Sequence, residues 1–187
     1  MRIIETGIEG VVVIAPDVHS DPRGYFMETF TLRKFEEAVG HVDFVQDNES
    51  SSSYGVVRGL HYQKPPYTQS KLVRCISGRV LDVAVDIRKG SPTFLKYVAV
   101  ELSGENHLQI FIPKGFAHGF SVLSEKAVFQ YKCDNYYAPT HDAGIQPLDP
   151  VIGIDWGIPR EKMLLSEKDL LRAPLDIEHC DFEYPVL

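Results

Sequence analysis

Two histidines in short apolar stretches are the first candidates for chemistry in this sequence of 187 residues. His61 stands in "VVRGLHYQ", three residues after Arg58, and His118 stands in "IPKGFAHGF". An imidazole titrates near neutral pH, as a general acid or base requires. A single histidine in an apolar strand can equally be a structural residue whose hydrogen bonds are satisfied. The local pattern therefore leaves both interpretations of His61 open.

A lysine and a tyrosine extend this candidate set. Lys71 opens the run "KLVRCI", where a buried ammonium would be costly without an anion and where a solvated strand end is the alternative. Tyr131 lies in "FQYKCDNYY", where its phenol could donate a proton or simply pack within a sheet. A catalytic imidazole also needs a carboxylate behind its other nitrogen. The 26 acidic residues do not identify that carboxylate by pattern alone.

The elements that must position these side chains are mostly β-strands. "RVLDVAVDI" (79–87) alternates aliphatic residues on one face with Asp82, Ala84 and Asp86 on the other. Turn-forming glycines and prolines separate further strand-like runs at 94–102, 107–113, 119–123 and 127–133. This spacing predicts a mainly β fold, an antiparallel sandwich or barrel such as the jelly roll, which often encloses a ligand cavity.

Two stretches predict short helices. Apolar residues recur at helical spacing over 32–39 after Thr31, a candidate N-cap. "LSEKDLL" (165–171) places Ser166 three residues before Asp169, which resembles a capping box. In the strand that carries His61, Arg58 lies on the opposite parity. A bulge or the strand end is therefore needed if both side chains are to enter one cavity.

Composition excludes several classes of protein. The net charge of −7 is unlike a nucleic-acid-binding footprint, and "VVVIA" is too short to span a membrane. The three cysteines form no CxxC pair, which disfavours a disulfide framework or structural zinc site. The N-terminal stretch lacks the apolar core of a signal peptide. We expect one domain, 1–187, in the cytoplasm, that binds neither nucleic acid nor membrane.

The PxGxxH spacing of Pro113, Gly115 and His118 resembles the second motif of the cupin superfamily of small jelly-roll barrels. Metal-binding cupins carry an HxH pair and a glutamate in the first motif, whereas the matching stretch here has only His61. Because a stable divalent site usually needs three or four protein ligands, we expect no metal.

Seven segments in one order carry a stronger resemblance: "SDPRGYFMETF", "FVQDNESSS", "VVRGLHYQ", "KLVRCISGRVLDVAVDIRKGSPTF", "IPKGFAHGF", "YKCDNYYAP" and "LSEKD". Together they resemble the dTDP-4-dehydrorhamnose 3,5-epimerases, a family of metal-free sugar nucleotide epimerases with the cupin fold, from about residue 8 to about residue 175. The resemblance implies a cofactor-independent homodimer in dTDP-L-rhamnose biosynthesis. It would epimerise dTDP-4-dehydro-6-deoxy-D-glucose at C3 and C5 through an enolate.

The resemblance also assigns roles to individual residues. His61, paired with Asp169, would be the base, Lys71 would stabilise the enolate oxygen, and Tyr131 would be the acid on the opposite face. Arginine suits the diphosphate because its planar fork donates paired hydrogen bonds. Arg23 and Glu28 are expected to reach the partner subunit's site. The substrate-binding residues implied by matching motifs are Arg23, Phe26, Glu28, Gln46, Asn48, Arg58, His118, Tyr137, Asp142 and Lys168.

Two alternatives to the double epimerase stay open. A relative that inverts only C3 or only C5 would keep the same acid–base residues, because the difference lies in the shape of the pocket. A noncatalytic cupin that binds a sugar nucleotide would have no use for His61, Lys71 and Tyr131 together. Asp142 also departs from the family, which commonly has glutamate there, so the contact of this shorter side chain is in doubt.

Overall fold

The computed structural model of the chain describes residues 1–185, which form two short α-helices, two 3-10 turns and a series of short strands. The helices are α1 (Leu32–Ala38) and α2 (Glu167–Leu170), and the 3-10 turns span Pro139–His141 and Arg160–Lys162. The strands are β1 (Arg2–Glu5), β2 (Val12–Ala15), β3 (Val18–Asp21), β4 (Gly24–Met27), β5 (Gln46–Ser53), β6 (Val57–Gln63), β7 (Lys71–Ser77), β8 (Arg79–Asp86), β9 (Arg88–Lys89), β10 (Tyr97–Ser103), β11 (Gln109–Ile112), β12 (Phe116–Val122), β13 (Lys126–Cys133), β14 (Asp142–Gly144) and β15 (Phe182–Glu183).

Two antiparallel sheets dominate the architecture. Sheet I has six strands in the order β1-β2-β11-β7-β13-β5, and sheet II has five in the order β10-β8-β12-β6-β14. Two small pairs accompany them, the antiparallel hairpin β3–β4 and the parallel pair β9–β15. The prediction of a mainly β, antiparallel jelly-roll barrel is confirmed. Across residues 1–185, none of the helices is both long and apolar enough to cross a membrane.

The main core lies between the two sheets. Val73 and Ile110 of sheet I pack in one buried cluster with Val80 and Val122 of sheet II. Aromatic residues extend this cluster, and the Phe120 and Phe129 rings stack with centroids 4.0 Å apart. Burial of a Phe or Val side chain contributes roughly 1.5–3 kcal/mol, so this cluster holds the sheets together.

A second apolar cluster covers the outer face of sheet II. The segment around Trp156 folds over that face and buries Val83 and Val85 completely. Strand β8 is consequently buried on both faces. The alternation in 79–87 does not mark a solvated face, since Asp82 and Asp86 are both fully buried.

The predicted element boundaries agree with the structure to within a few residues. Strand β7 begins at Lys71, and helix α1 begins immediately after Thr31, although the Thr31 side chain makes no capping hydrogen bond. Strand β12 begins at Phe116, three residues before the predicted start at 119, because pairing with β8 already starts between Phe116 and Asp86. The Ser166 hydroxyl does cap α2, accepting a hydrogen bond from the Asp169 amide at 3.1 Å.

A buried ion pair fixes the turn after β8. The Asp86 carboxylate accepts bonds from the Arg88 guanidinium at 2.8 and 2.9 Å and from the hydroxyls of Ser91 and Thr93. Burial alone would raise the pKa of Asp86, but these hydrogen bonds outweigh it and hold the pKa below its usual value. Asp21 and Arg23 form the same i, i+2 pair at an exposed position.

These two pairs predict that replacing the aspartate destabilises the protein to different extents. Asp86→Ala should lower the free energy of unfolding by about 3–5 kcal/mol, because it leaves the buried Arg88 charge uncompensated. The loss should shrink as the pH falls through the lowered pKa of Asp86, since protonation already removes the wild-type pair. Asp21→Ala should leave the urea midpoint nearly unchanged, because its pair is solvated. Equal shifts in urea unfolding for the two variants would contradict this account.

Candidate active site

One large cavity opens between the inner faces of the two sheets. Its volume is about 650 Å³, large enough for a nucleotide-sized ligand. Sheet I and sheet II both line it, and α2 closes part of its wall. The side chains from the predicted site that line this cavity are Gln46, Asn48, Arg58, His61, Lys71, His118, Tyr131, Tyr137, Asp142, Lys168 and Asp169.

His61 and Asp169 form a hydrogen-bonded pair at the wall made by sheet II. The distance from His61 Nε2 to Asp169 Oδ1 is 2.5 Å, and the Asp169 side chain is only 3% exposed. Burial would raise the pKa of Asp169, but the hydrogen bond from the His61 ring outweighs it and lowers the pKa. An ionised carboxylate only accepts, so it keeps a proton on Nε2 and leaves Nδ1 as the free ring nitrogen.

A β-bulge brings Arg58 into the same cavity as His61. Between β6 and β12, His118 pairs with His61 while Phe120 pairs with Arg58, so three steps on β6 oppose two on β12. Gly59 makes this possible: its φ is +129°, and a Cβ there would lie 2.5 Å from the Cα of Gly119. The bulge expected from the parity of the two residues is confirmed.

Lys71 and Tyr131 project from the facing wall, sheet I. Strands β7 and β13 are neighbours, and the Lys71 ammonium lies 5.9 Å from the centroid of the Tyr131 ring. Burial lowers the pKa of Lys71 and raises the pKa of Tyr131. Within residues 1–185 no protein group forms an ion pair or hydrogen bond with the Lys71 ammonium. The cation is thus free to bind a ligand, and the Tyr131 phenol remains protonated at neutral pH.

His118 is bonded to a carboxylate that the sequence patterns did not single out as functional. Its Nε2 lies 2.9 Å from Oδ2 of Asp82, and both side chains are buried. The one signal in the sequence was the position of Asp82 between aliphatic residues of the run 79–87. Histidine and aspartate come from adjacent strands, β12 and β8.

Amide groups line the end of the cavity near β5. Gln46 Nε2 donates to Asn48 Oδ1 at 2.9 Å, and the Tyr137 amide donates to Gln46 Oε1 at 3.1 Å. The alternation of β5 turns both amide side chains to the same face. This end of the cavity can form directional hydrogen bonds with a polar ring.

The Asp142 carboxylate, which lines the cavity, binds two cationic side chains. Lys168 Nζ and Arg172 Nη2 each lie 2.5 Å from Asp142 Oδ2. Burial would raise the pKa of Asp142, but the hydrogen bonds from these two residues lower it. Sequence reasoning missed Arg172, because no local pattern shows that its side chain contacts Asp142. The shorter side chain is engaged by protein cations instead of extending freely into the cavity.

Three of the predicted site residues lie outside this cavity, on or beside the β3–β4 hairpin. The Arg23 side chain is 89% exposed and is bonded only to its neighbour Asp21 within the described chain. Phe26 is 67% exposed, and Glu28 forms an ion pair with Lys34. The subunit therefore presents these side chains outward and does not place them at its own site.

The histidines do not form a metal-binding cluster. Among residues 1–185 no group of three or more His, Cys, Asp or Glu side chains is arranged to hold a metal ion. Both cavity histidines instead direct one ring nitrogen at a carboxylate. A histidine–carboxylate pair on one wall, with a free ammonium and a phenol on the facing wall, suits proton transfer at a carbon beside a carbonyl.

Comparison with known proteins identifies the family. Residues 5–176 match the family described as dTDP-4-dehydrorhamnose 3,5-epimerase. The chain is 56% identical to the dTDP-4-dehydrorhamnose 3,5-epimerase of Shigella flexneri over 171 residues, covering 91% of this chain and 93% of that one. It is 39% identical to the dTDP-4-dehydrorhamnose 3-epimerase of Streptomyces niveus, covering 90% of this chain and 81% of that one.

A solved structure agrees over the whole length. The crystal structure of dTDP-6-deoxy-D-glucose-3,5-epimerase from Legionella pneumophila Philadelphia 1, in complex with dTDP-4-keto-L-rhamnose, superposes with a TM-score of 0.93. The two chains are 48% identical, and the match covers 99% of each. On this combined evidence of sequence, fold and cavity, the chain belongs to the dTDP-4-dehydrorhamnose 3,5-epimerase family.

Proposed function

We propose that the chain epimerises dTDP-4-dehydro-6-deoxy-D-glucose at C3 and C5 to give dTDP-4-dehydro-L-rhamnose. One observation carries the proposal: His61, which is bonded to Asp169 of α2, lies on sheet II, Tyr131 and Lys71 lie on sheet I, and all four residues line a single cavity. A sugar ring held between these walls meets a base on one face and a proton donor on the other. Inversion at carbon requires this placement, because one group cannot serve both faces of a fixed ring.

The reaction begins with proton abstraction next to the C4 carbonyl. His61 takes the proton through Nδ1, and the Asp169 carboxylate stabilises the imidazolium that forms. The electron pair moves onto the C4 oxygen as an enolate. Lys71 supplies positive charge there: a unit charge pair at about 4 Å is worth roughly 4 kcal/mol at an effective dielectric near 20. At about 1.4 kcal/mol per tenfold in rate, this corresponds to roughly a thousandfold in rate.

The reaction ends with protonation from the opposite side. The Tyr131 phenol, whose raised pKa keeps it protonated, donates to the carbon and inverts its configuration. His61 then releases its proton to water and Tyr131 regains one from water, and the same steps at the second carbon complete the double epimerisation. The burial that raises the pKa of Tyr131 also lowers that of Lys71, so the cation needs the developing negative charge of the enolate to be fully stabilised.

The nucleotide half of the substrate has candidate partners among the residues that line the cavity. Arg58 and Lys168 offer positive charge for the diphosphate, and Lys168 can move there from Asp142 because Arg172 remains bonded to that carboxylate. Gln46 and Asn48 offer amides for the thymine ring. The Legionella relative, crystallised with dTDP-4-keto-L-rhamnose, supports a ligand of this class.

Inversion at two carbons is favoured over inversion at one by the pattern of similarity. The Shigella protein, named as a 3,5-epimerase, is 56% identical to this chain, whereas the Streptomyces niveus protein, named as a 3-epimerase, is 39% identical.

We also propose a reducing, cytoplasmic setting for the protein. The three free thiols, Cys75, Cys133 and Cys180, support this proposal.

The hairpin leads us to propose a homodimer with shared sites. The outward-facing Arg23, Phe26 and Glu28 would complete the cavity of the partner subunit. Exposed aromatic residues on the hairpin support this arrangement, because Tyr25 and Phe26 are 53% and 67% exposed in the isolated subunit. A two-fold contact would bury the same patch on both subunits.

Tyr131→Phe should separate proton removal from inversion. The variant loses one hydroxyl and keeps the ring, so His61 and Lys71 can still form the enolate and return a deuteron to the original face. In D2O we expect exchange at C3 or C5 with retained configuration, and a fall of roughly 100- to 10,000-fold in inverted product. NMR of the recovered sugar measures both.

The matched control for this variant is Tyr97→Phe, which changes a tyrosine that packs on the outer cluster of sheet II. It should invert both carbons at the normal rate. Normal inversion by Tyr131→Phe would remove Tyr131 from the mechanism, whatever the behaviour of the control.

Mixing two inactive variants should test whether sites are shared. His61→Ala and Arg23→Ala are refolded together in equal amounts, at a substrate concentration where each alone is nearly inactive. In a shared-site dimer, half of the molecules are mixed and each has one intact site, so activity should return to about a quarter of the wild-type value. Sedimentation should confirm that the proteins are dimers.

His61→Ala mixed with Tyr131→Phe is the control, because both residues line the cavity of one subunit and every site keeps a defect. No recovery is expected from that mixture. If His61→Ala with Arg23→Ala also fails to recover, the hairpin does not complete a partner's site.

A further inference from the structure

The carboxylate of Asp82 has no assigned task in the reaction described above. It lies on β8 and is fully buried, with Oδ2 at 2.9 Å from His118 Nε2. Its other oxygen, Oδ1, is sealed from solvent and has no hydrogen-bond partner within residues 1–185. Burying a carboxylate with half of its hydrogen-bonding capacity unused is costly, so a compensating role is expected.

The bond to Asp82 determines which nitrogen of His118 faces the ligand. Nε2 is directed at the carboxylate. Nδ1 has no hydrogen-bond partner within the described chain, and it is accessible to solvent. Because His118 lines the cavity, we infer that Nδ1 faces into it. The ring orientation is held by Phe129, whose ring lies almost parallel at 14° with centroids 6.2 Å apart.

The surroundings keep the imidazole of His118 neutral. Burial lowers the pKa of His118, Asp82 acts in the opposite direction, and the nearby Lys71 ammonium lowers the pKa further. A neutral imidazole carries one proton. Since a carboxylate accepts hydrogen bonds, that proton belongs on Nε2, and Nδ1 presents a lone pair to the cavity.

We propose that Asp82 is a positioning residue that holds His118 in its Nε2–H tautomer, so that Nδ1 accepts a hydrogen bond from a hydroxyl group of the bound sugar. The role of Nδ1 rests on the proposed function, whereas the tautomer does not. The two walls then bind different polar groups of a 4-keto sugar. Lys71 on sheet I can only donate and takes the carbonyl oxygen, and His118 on sheet II can only accept and takes a hydroxyl. A sugar bound the other way round would leave both residues unpaired.

The tautomer can be measured directly in the unaltered protein. Nitrogen-15 NMR of protein labelled in its histidine rings distinguishes a protonated from an unprotonated ring nitrogen, and His118→Gln identifies the signals by their loss. We expect His118 with a proton on Nε2 and none on Nδ1, both without ligand and with dTDP bound. A proton on Nδ1, or on both nitrogens, would overturn the proposal.

Kinetics test whether Asp82 acts through His118. Asp82→Asn keeps the shape of the side chain but can also donate to Nε2, which allows the wrong tautomer. We expect kcat/KM for the keto sugar to fall roughly 10- to 100-fold, the effect of one lost hydrogen bond near charged groups, with dTDP affinity unchanged. In the His118→Gln background the same substitution should have little further effect. An equal loss in both backgrounds would show that Asp82 acts elsewhere, for example through the charge of Lys71, and would overturn the proposal.

Asp86→Asn is the matched control, because Asp86 lies on the same strand and the same face and is equally buried, yet it bonds to Arg88 away from the cavity. It should change stability and leave the His118 signals in place. A shift of those signals in Asp86→Asn as large as in Asp82→Asn would count against a specific role. Absence of turnover in the unaltered protein would overturn the proposed function instead, and the NMR measurement would still decide the tautomer.

Discussion

The hydrogen bond between His61 and Asp169 joins residues 108 positions apart and fixes the chemistry of the cavity. Helix α2 has only four residues, too few for an independently stable helix, so tertiary contacts must hold it in place. Ser166 caps its first turn, and the Asp169 carboxylate crosses to β6. The carboxylate is nearly inaccessible to water, which makes its bond to the imidazole obligatory. The same contact therefore closes the cavity wall and orients the ring of His61, the proposed base.

Strand register determines the positions of Lys71 and Tyr131 on the facing wall. Pairing of Cys133 with Lys71 and of Tyr131 with Val73 places the ammonium and the phenol on one side of sheet I. On sheet II, pairing of His118 with His61 places both imidazoles beside each other, and the Gly59 bulge adds Arg58. The proposed acid, Tyr131, and the proposed base, His61, thus come from different sheets, which pack together through Phe120 and Phe129 in the core. The buried charges of this cavity reduce stability, and the two large apolar clusters offset that cost.

Much of this could be predicted from the sequence, for physical reasons. Alternating apolar residues predicted the β class, and polar side chains inside apolar runs pointed to His61, Lys71 and His118. The carboxylates behind the two histidines could not be found in this way, since pairing across strands or across 108 positions leaves no local pattern. Asp169 was identified as the partner of His61 only through a family resemblance, and Asp82 shared one face of its strand with Ala84 and Asp86, which gave no indication of its partner. Arg172 was missed because its partner Asp142 is 30 positions away. The role proposed for the hairpin residue Arg23 depends on contact with a second subunit, and no local sequence pattern reveals such a contact.

The central claim is that one cavity removes a proton from the sugar on one face and returns one on the other. The most direct measurement is the position and stereochemistry of deuterium in the product formed by the unaltered protein in D2O from dTDP-4-dehydro-6-deoxy-D-glucose. The account predicts deuterium at both C3 and C5, each with inverted configuration. Deuterium at one carbon would restrict the activity to a single centre, and product that carries no deuterium at either carbon would contradict the account.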